Sequence, residues 1–245
     1  FVREGKPIWP EYADAVHCTN AEFTPNELLP IHIGLDFGLT PAATLGQRTV
    51  HGRWVIFDEV VTEDMGTTNF AKLLGQHLRS KYQGFKFEVY GDPAGDHRSE
   101  TDEKTPFQIL NKAGIKARPA CTNDFLIRRD AVGNMLMMLV EGRPALQITP
   151  QCKILRKAMN GAYCYKRMQV SGMEKYADKP DKNKYSHVAE SLQYMFVGAG
   201  EGMSVISGGY DTLDLAKIRE LERKHMAPQF RNPADEGPLG WGANG

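Results

Sequence analysis

The sequence predicts an α/β fold: a mixed five-stranded sheet with helices on both faces, plus a hairpin or flap and a C-terminal tail. Three observations predict it. Apolar runs of strand length alternate with turn signals through residues 31–61, the period becomes helical at residue 67, and helix and strand patterns alternate after that. Residues 1–30 are rich in Pro, Glu and Asn, show little periodicity, and read as an irregular lead-in or linker. Ile31–Phe37, Ala42–Gln47 and Trp54–Val61 are the first strands; Leu39-Thr40-Pro41 and His51-Gly52 separate them, as in an antiparallel meander. Phe70, Leu73, Leu74 and Leu78 fall at helical spacing, which predicts an amphipathic helix over Thr67–Tyr82. Phe85–Tyr90 is a fourth strand. A short helix, Thr105–Lys112, has Pro106 near its start and leads to a fifth strand at Ile115–Arg118. Ile127, Ala131, Met135 and Leu139 mark another helix. Residues 161–177 read as the flap, with Tyr163, Tyr165, Met168 and Val170 alternating toward one side. Ser186–Val197 is the last clear helix.

Three strands, a helix, a strand, then alternating helices and strands is the order of the ribonuclease H-like architecture, which places acids at strand ends. Residues 31–200 would form that domain. Residues 201–245 would be a flexible, Gly-rich tail with a short charged helix near Leu213–His225. Hydrophobic residues make up 41% of the 245, enough for a sizeable core. Thirty basic and thirty acidic residues cancel, so any nucleic-acid surface must be a local patch. The four cysteines, Cys18, Cys121, Cys152 and Cys164, form no CxxC pair, which argues against a zinc site or a disulfide framework. No apolar run is long enough to span a bilayer and no signal peptide is visible, so the expected setting is cytosolic, without membrane. The chain opens on Phe1 rather than Met and reads as a piece of something longer.

The acids carry the chemistry. In "IHIGLDFGLTPAATLG" an apolar strand climbs to a lone carboxylate, Asp36, between Gly34 and Gly38. Buried carboxylates are costly unless paired or metal-bound, although an Asp closing a strand can also stabilise a turn. Asp92 in "EVYGDPAGDH" likewise follows an apolar strand, and its plainer role is a helix cap or Asx-turn. Gly95 and its small neighbours would let a substrate backbone come close. If the first and fourth strands are neighbours, both carboxylates leave the same end of the sheet. "NKYSHVAESLQYMFVG" has Val188, Leu192, Met195 and Phe196 as its core stripe, with His187 and Glu190 on another face and Ser186 as a natural N-cap. Glu190 near the positive end of that helix could be simple dipole chemistry. Three converging carboxylates without cysteine would make a hard-oxygen site for two divalent cations, Mg²⁺ or Mn²⁺, able to hydrolyse a phosphodiester. Asp96 and His97 follow Asp92 closely enough to compete as ligands, although their default place is a solvent-facing loop, and Asp181 is a further candidate.

"GLDFGLTPAATLGQ", "VYGDPAG" and "KNKYSHVAESLQYM" together resemble the C-terminal nuclease domain of tailed-phage terminase large subunits, and the likeness extends over residues 1–200. The third motif of that family has Asp where this chain has Glu190, one methylene longer. The resemblance implies an endonuclease that cuts double-stranded viral DNA during packaging in the host cytoplasm, with little sequence preference. Asp36, Asp92 and Glu190 would carry the metals, and His187 would be an auxiliary group beside the metal or the scissile phosphate. It also implies an N-terminal ATPase domain in the same polypeptide, and a terminase small subunit and a portal protein as partners. No GxxxxGK[ST] occurs here, so the motor half is absent from this sequence.

Lys166, Arg167, Lys175, Lys179, Lys182 and Lys184 concentrate positive charge on the flap and the loop after it, where they could hold DNA phosphates. Arg128 and Arg129 open a helix and read as solvent-facing. Two rival readings exist. "GLDFGLT" also resembles the first phosphate loop of the sugar-kinase, actin and heat-shock ATPase superfamily, although no second such loop follows. A non-catalytic portal-docking module is the other.

Overall fold

A computed structural model describes residues 5–38, 40–96, 104–168 and 175–201. In chain order the strands are β1 (Gly5–Pro7), β2 (Ile31–Asp36), β3 (Ala42–Arg48), β4 (Trp54–Val61), β5 (Phe87–Gly91), β6 (Ala117–Pro119), β7 (Leu139–Val140), β8 (Arg143–Pro144), β9 (Leu146–Ile148), β10 (Cys164–Met168) and β11 (Lys175–Pro180). The helices are α1 (Asp14–His17), α2 (Thr67–Lys81), α3 (Pro106–Lys112), α4 (Phe125–Met137), α5 (Lys153–Lys157) and α6 (Ser186–Gly198).

The central sheet has the order β6-β5-β2-β3-β4-β9. β2, β3 and β4 form the antiparallel meander, and β5 and β6 add parallel on the other side of β2. All five strands expected from the sequence are present. The sixth, β9, pairs with the start of β4 and lies outside that expectation, because three residues are too few to show a period.

Both faces are covered. Ile31, Ile33 and Leu35 point from β2 toward Phe70, Leu74 and Leu78 of α2 and Leu110 of α3, all buried in one cluster. The alternate positions, His32, Gly34 and Asp36, face α6 on the other side, which packs closely against β2, β3 and β5. Gly34 is what allows this approach. A Cβ there would lie 1.9 Å from the Ser191 carbonyl oxygen and 2.7 Å from Met195 Cβ. α6 is buried all round, pressed between the sheet and α4. The core stripe expected for it is therefore only part of its buried surface.

Several local expectations change. Ser186 is the first helical residue and not the cap: Tyr185 holds that position, and the Ser186 hydroxyl donates back to the Asn183 carbonyl at 2.7 Å. Leu139 lies beyond the end of α4 and is exposed, since the helix stops at Met137. The lead-in contributes β1, which pairs with β10 to make a three-stranded sheet of the flap, and it buries Ile8, Trp9 and Tyr12. In the flap, a register irregularity between Tyr165 and Arg167 breaks the alternation, leaving Met168 exposed while Tyr163 sits wholly in the core. Val170, and the tail with its charged helix at Leu213–His225, lie outside the described residues. Among the described residues no helix is long and apolar enough to cross a membrane.

Candidate metal centre

Asp36 closes β2, and Asp92 follows directly on β5. The two strands are parallel neighbours with Leu35 opposite Gly91, and the Asp92 amide donates to the Leu35 carbonyl at 3.3 Å. Both acids therefore emerge at one end of the sheet. Asp36 is 3% exposed on the face covered by α6, and Glu190 of α6, also 3% exposed, is near enough to act on it electrostatically. The Tyr194 hydroxyl senses all three carboxylates, Asp92, Asp36 and Glu190.

Each acid has a different environment. Burial drives the Asp36 carboxyl above its ordinary range; Glu190 adds to the rise, while His187 and Lys182 oppose it. His187 Nδ1 lies 2.8 Å from Asp36 Oδ2. With Asp36 ionised, Nδ1–H is the donor, which leaves Nε2 as the free ring nitrogen. Glu190 accepts a hydrogen bond from the Tyr163 hydroxyl at 2.9 Å, and both of its oxygens contact the Lys182 ammonium. Burial, together with Glu190, pushes the Tyr163 phenol far up, so it stays a proton donor. Asp92 is half-buried and uses one oxygen in an Asx-turn, accepting from the Ala94 amide at 2.8 Å. The turn reading of Asp92 thus holds in geometry, and this contact uses one of its two oxygens.

Among the described residues, no three His, Cys, Asp or Glu side chains stand as a ready-made metal cage. In the structure His187 contacts Asp36, and Lys182 and Tyr163 contact Glu190. The donor set nonetheless fits a hard cation. It is all oxygen, two of its carboxylates are nearly fully buried, and a positive charge, the Lys182 ammonium, already sits on Glu190.

A cleft of about 370 Å³ opens beside the acids, lined by Thr40, Glu63, Asp64, Lys182, Asn183, Lys184 and His187. A larger groove of about 510 Å³ lies between the end of α2 and the turn after α3, at the far end of the sheet; its only charged lining residues are Arg79 and Lys116. With no acid in its walls, that groove has no ligand for a cation.

The basic candidates divide. Lys166 pairs with Asp181 at 2.8 Å, which also accounts for Asp181, and Lys182 pairs with Glu190. Lys184 stands over the Tyr185 ring. Lys175 and Lys179 project from β11, and Arg167 from β10. Asp96 is exposed at the end of a 3₁₀ turn over Pro93–Asp96, and His97 lies outside the described residues.

Two expectations are overturned here. Gly91 and Gly95 do not make room for a substrate: a Cβ at either would strike the Phe37 ring, at 2.8 and 2.4 Å, so their smallness seats Phe37. Arg128 is not solvent-facing but 6% exposed, hydrogen-bonded to Gln193. Sequence reasoning gives Tyr163 only a place in the flap, without its contact to Glu190, and passes over Gln193. Gln193 has a signal, standing three residues after Glu190 on the same helix. Tyr163 has none, because its partner lies far along the chain.

No family model and no curated protein sequence matches the chain. Solved structures do. The large terminase of a thermophilic bacteriophage superposes with a TM-score of 0.57 at 17% identity, over 80% of this chain and 45% of that one. The nuclease domain of the phage P22 large terminase superposes with a TM-score of 0.55 at 11% identity, over 77% of this chain and 89% of that one. This chain spans about half the length of the thermophilic phage's protein and nearly all of the P22 domain. Its fold is that of a large-terminase nuclease domain, the ribonuclease H-like architecture.

Proposed function

We propose that the chain is a divalent-metal-dependent endonuclease that cuts double-stranded viral DNA with little sequence preference during genome packaging. The observation that supports it best is the pair of almost fully buried carboxylates, Asp36 and Glu190, beside a third acid, Asp92, at one end of this sheet. Burying that much negative charge is unfavourable unless a cation offsets it. Asp36, Asp92 and Glu190 would hold two cations, Mg²⁺ or Mn²⁺. Such ions, when bound, supply an activated water and stabilise the leaving oxygen of a phosphodiester.

The chain's own residues do the rest. His187 holds Asp36 through Nδ1 and lines the cleft, where its other ring nitrogen would meet a phosphate oxygen or a water. Tyr163 holds one oxygen of Glu190, compensating for the longer reach of Glu by pinning it. Lys175, Lys179, Lys184 and Arg167 would hold backbone phosphates, with Lys166 and Lys182 joining once they exchange their acid partners for DNA. Contacts of that kind position DNA without reading bases. We place the activity in the host cytoplasm, with an ATPase domain in the same polypeptide, a small subunit and a portal protein as partners. Residues 1–30 would then be the connection to that ATPase domain, residues 31–200 the nuclease, and 201–245 an appended tail.

The test is plasmid nicking with Mn²⁺, Mg²⁺ or EDTA, comparing wild type, Asp36→Asn and Glu190→Gln. Metal-dependent nicking lost in both variants is the expected result. Cleavage that survives both substitutions, or that ignores EDTA, would overturn the assignment.

A further inference from the structure

The lead-in does more than complete the flap sheet. Its strand β1 pairs with β10, setting Gly5 opposite Lys166, Lys6 opposite Tyr165 and Pro7 opposite Cys164. The approach is close: a Cβ on Gly5 would lie 2.3 Å from the Tyr165 carbonyl oxygen and 2.9 Å from Cys164 Sγ. One residue further along, the Ile8 amide donates to the Tyr163 carbonyl at 3.4 Å, so the lead-in follows β10 back to the base of the flap.

Two aromatic rings meet at that base, Trp9 at 2% exposure and Tyr163 at 0%. Their centroids are 6.0 Å apart and their planes are tilted by 49°, within the range of favourable aromatic pairs. Trp9 is itself anchored, its Nε1–H donating to the Arg129 carbonyl of α4 at 2.9 Å. Indole has no other polar atom, so this one bond sets how the ring lies. The Tyr163 backbone is held on both sides, its amide by the Ala158 carbonyl at 3.2 Å and its carbonyl by Ile8. What is left to Tyr163 is the swing of its side chain, and Trp9 stands against that ring.

The far end of the ring meets an acid of the site. The Tyr163 hydroxyl donates to Glu190 Oε1 at 2.9 Å from within the protein, whereas Lys182, its side chain 63% exposed, reaches the same carboxylate from solvent. A cation that takes the place of the ammonium leaves Tyr163 holding Oε1. Each link is a direct contact: the Arg129 carbonyl with Trp9, Trp9 with Tyr163, and Tyr163 with Glu190.

We infer that Trp9 is a positioning residue for Glu190, holding the Tyr163 ring where its hydroxyl meets Oε1. The inference rests on the metal-site reading above. In that reading residues 1–30 connect the nuclease to another domain, and the connection itself then takes part in the site.

Mn²⁺ binding, measured by titration calorimetry on the full chain, tests the inference without recourse to cleavage. Tyr163→Phe removes the hydroxyl and should weaken binding by about tenfold, as loss of a ligand's outer partner does. Trp9→Leu removes the supporting ring with its anchor and should weaken binding by about fivefold, the worth of an aromatic pair. Trp9→Phe, which keeps a ring against Tyr163, should recover part of that loss. In the Tyr163→Phe background Trp9→Leu should have no further effect on Kd, because no hydroxyl is left to position. Tyr12→Leu controls for a loosened lead-in. Tyr12 is also buried, but it bonds Asp14 and stacks on His17, so its loss should lower the melting temperature and leave Kd unchanged. If Trp9→Leu does not fold, Trp9→Phe takes its place in the cycle, with a weakening of about twofold that vanishes beside Tyr163→Phe. An unchanged Kd with only a lowered melting temperature would overturn the inference. So would multiplying effects of the Trp9 and Tyr163 changes, or an equal loss in Tyr12→Leu. Each of these results leaves the metal site intact. Wild-type chain that takes up no Mn²⁺ would overturn the metal site and the inference together.

Discussion

Lys182→Met should make the protein bind metal more tightly. The Lys182 ammonium contacts both oxygens of Glu190, whose side chain is 5% exposed, while the lysine side chain is 63% exposed. A cation bound by Glu190 must first displace that ammonium. A charge-assisted hydrogen bond contributes about 1.5–3 kcal/mol net in a protected setting. A pair whose cation stands mostly in water is worth nearer ~1 kcal/mol or less. With one partner buried and the other wet, about 1.4 kcal/mol lies between those limits, which is about tenfold in affinity. Methionine keeps the apolar stem and removes only the charge, so Mn²⁺ should bind about tenfold more tightly by titration calorimetry. Without metal the same change strands Glu190 as an unpaired buried carboxylate. The melting temperature in EDTA should therefore fall by roughly 3–5 °C, and added Mn²⁺ should restore it. Equal or weaker Mn²⁺ binding in Lys182→Met would refute the reasoning, since the ammonium would then not be competing for Glu190.

Two further outcomes follow from the geometry. Gly34→Ala drives a methyl into the Ser191 carbonyl and Met195, forcing α6 off β2; chemical denaturation should show a loss of about 2–3 kcal/mol. Asp36 has its carboxyl raised by burial, so the folded state holds its proton to higher pH than the unfolded chain does. Its contribution to stability is therefore lost as pH rises from the unfolded value through the raised folded one, and the cost persists at neutral pH. In EDTA, Asp36→Asn should melt above wild type at pH 7, with the gap closing as the pH is lowered through the carboxylate range. A gap that stays constant with pH would show that burial of this charge is not the cause.

The pattern of the chain exposes its fold where local period and tertiary burial agree. Ile31, Ile33 and Leu35 alternate because one face of β2 packs on α2 and α3, and Phe70, Leu74 and Leu78 recur because the same cluster receives them. β9 is invisible for lack of length, and the flap misleads because its irregularity at Tyr165–Arg167 shifts the phase of alternation. The acids at residues 36 and 92 stand out because each ends an apolar strand beside glycine. Their partners do not stand out. The Lys182–Glu190 contact, the Tyr163 hydroxyl and the buried Arg128 depend on how a loop, a hairpin base and two helices meet, and no local spacing encodes that. Charge in the sequence is also a poor guide to free charge: Lys166 and Lys182, read as phosphate contacts, are engaged by acids.

The central claim is that Asp36, Asp92 and Glu190 together hold the working cations. A crystal of the chain grown with Mn²⁺, with data collected at the manganese absorption edge, addresses it directly. Two anomalous peaks bounded by these three carboxylates, with Lys182 displaced from Glu190, is the predicted result. Peaks elsewhere, or none while the Lys182–Glu190 contact persists, would contradict it.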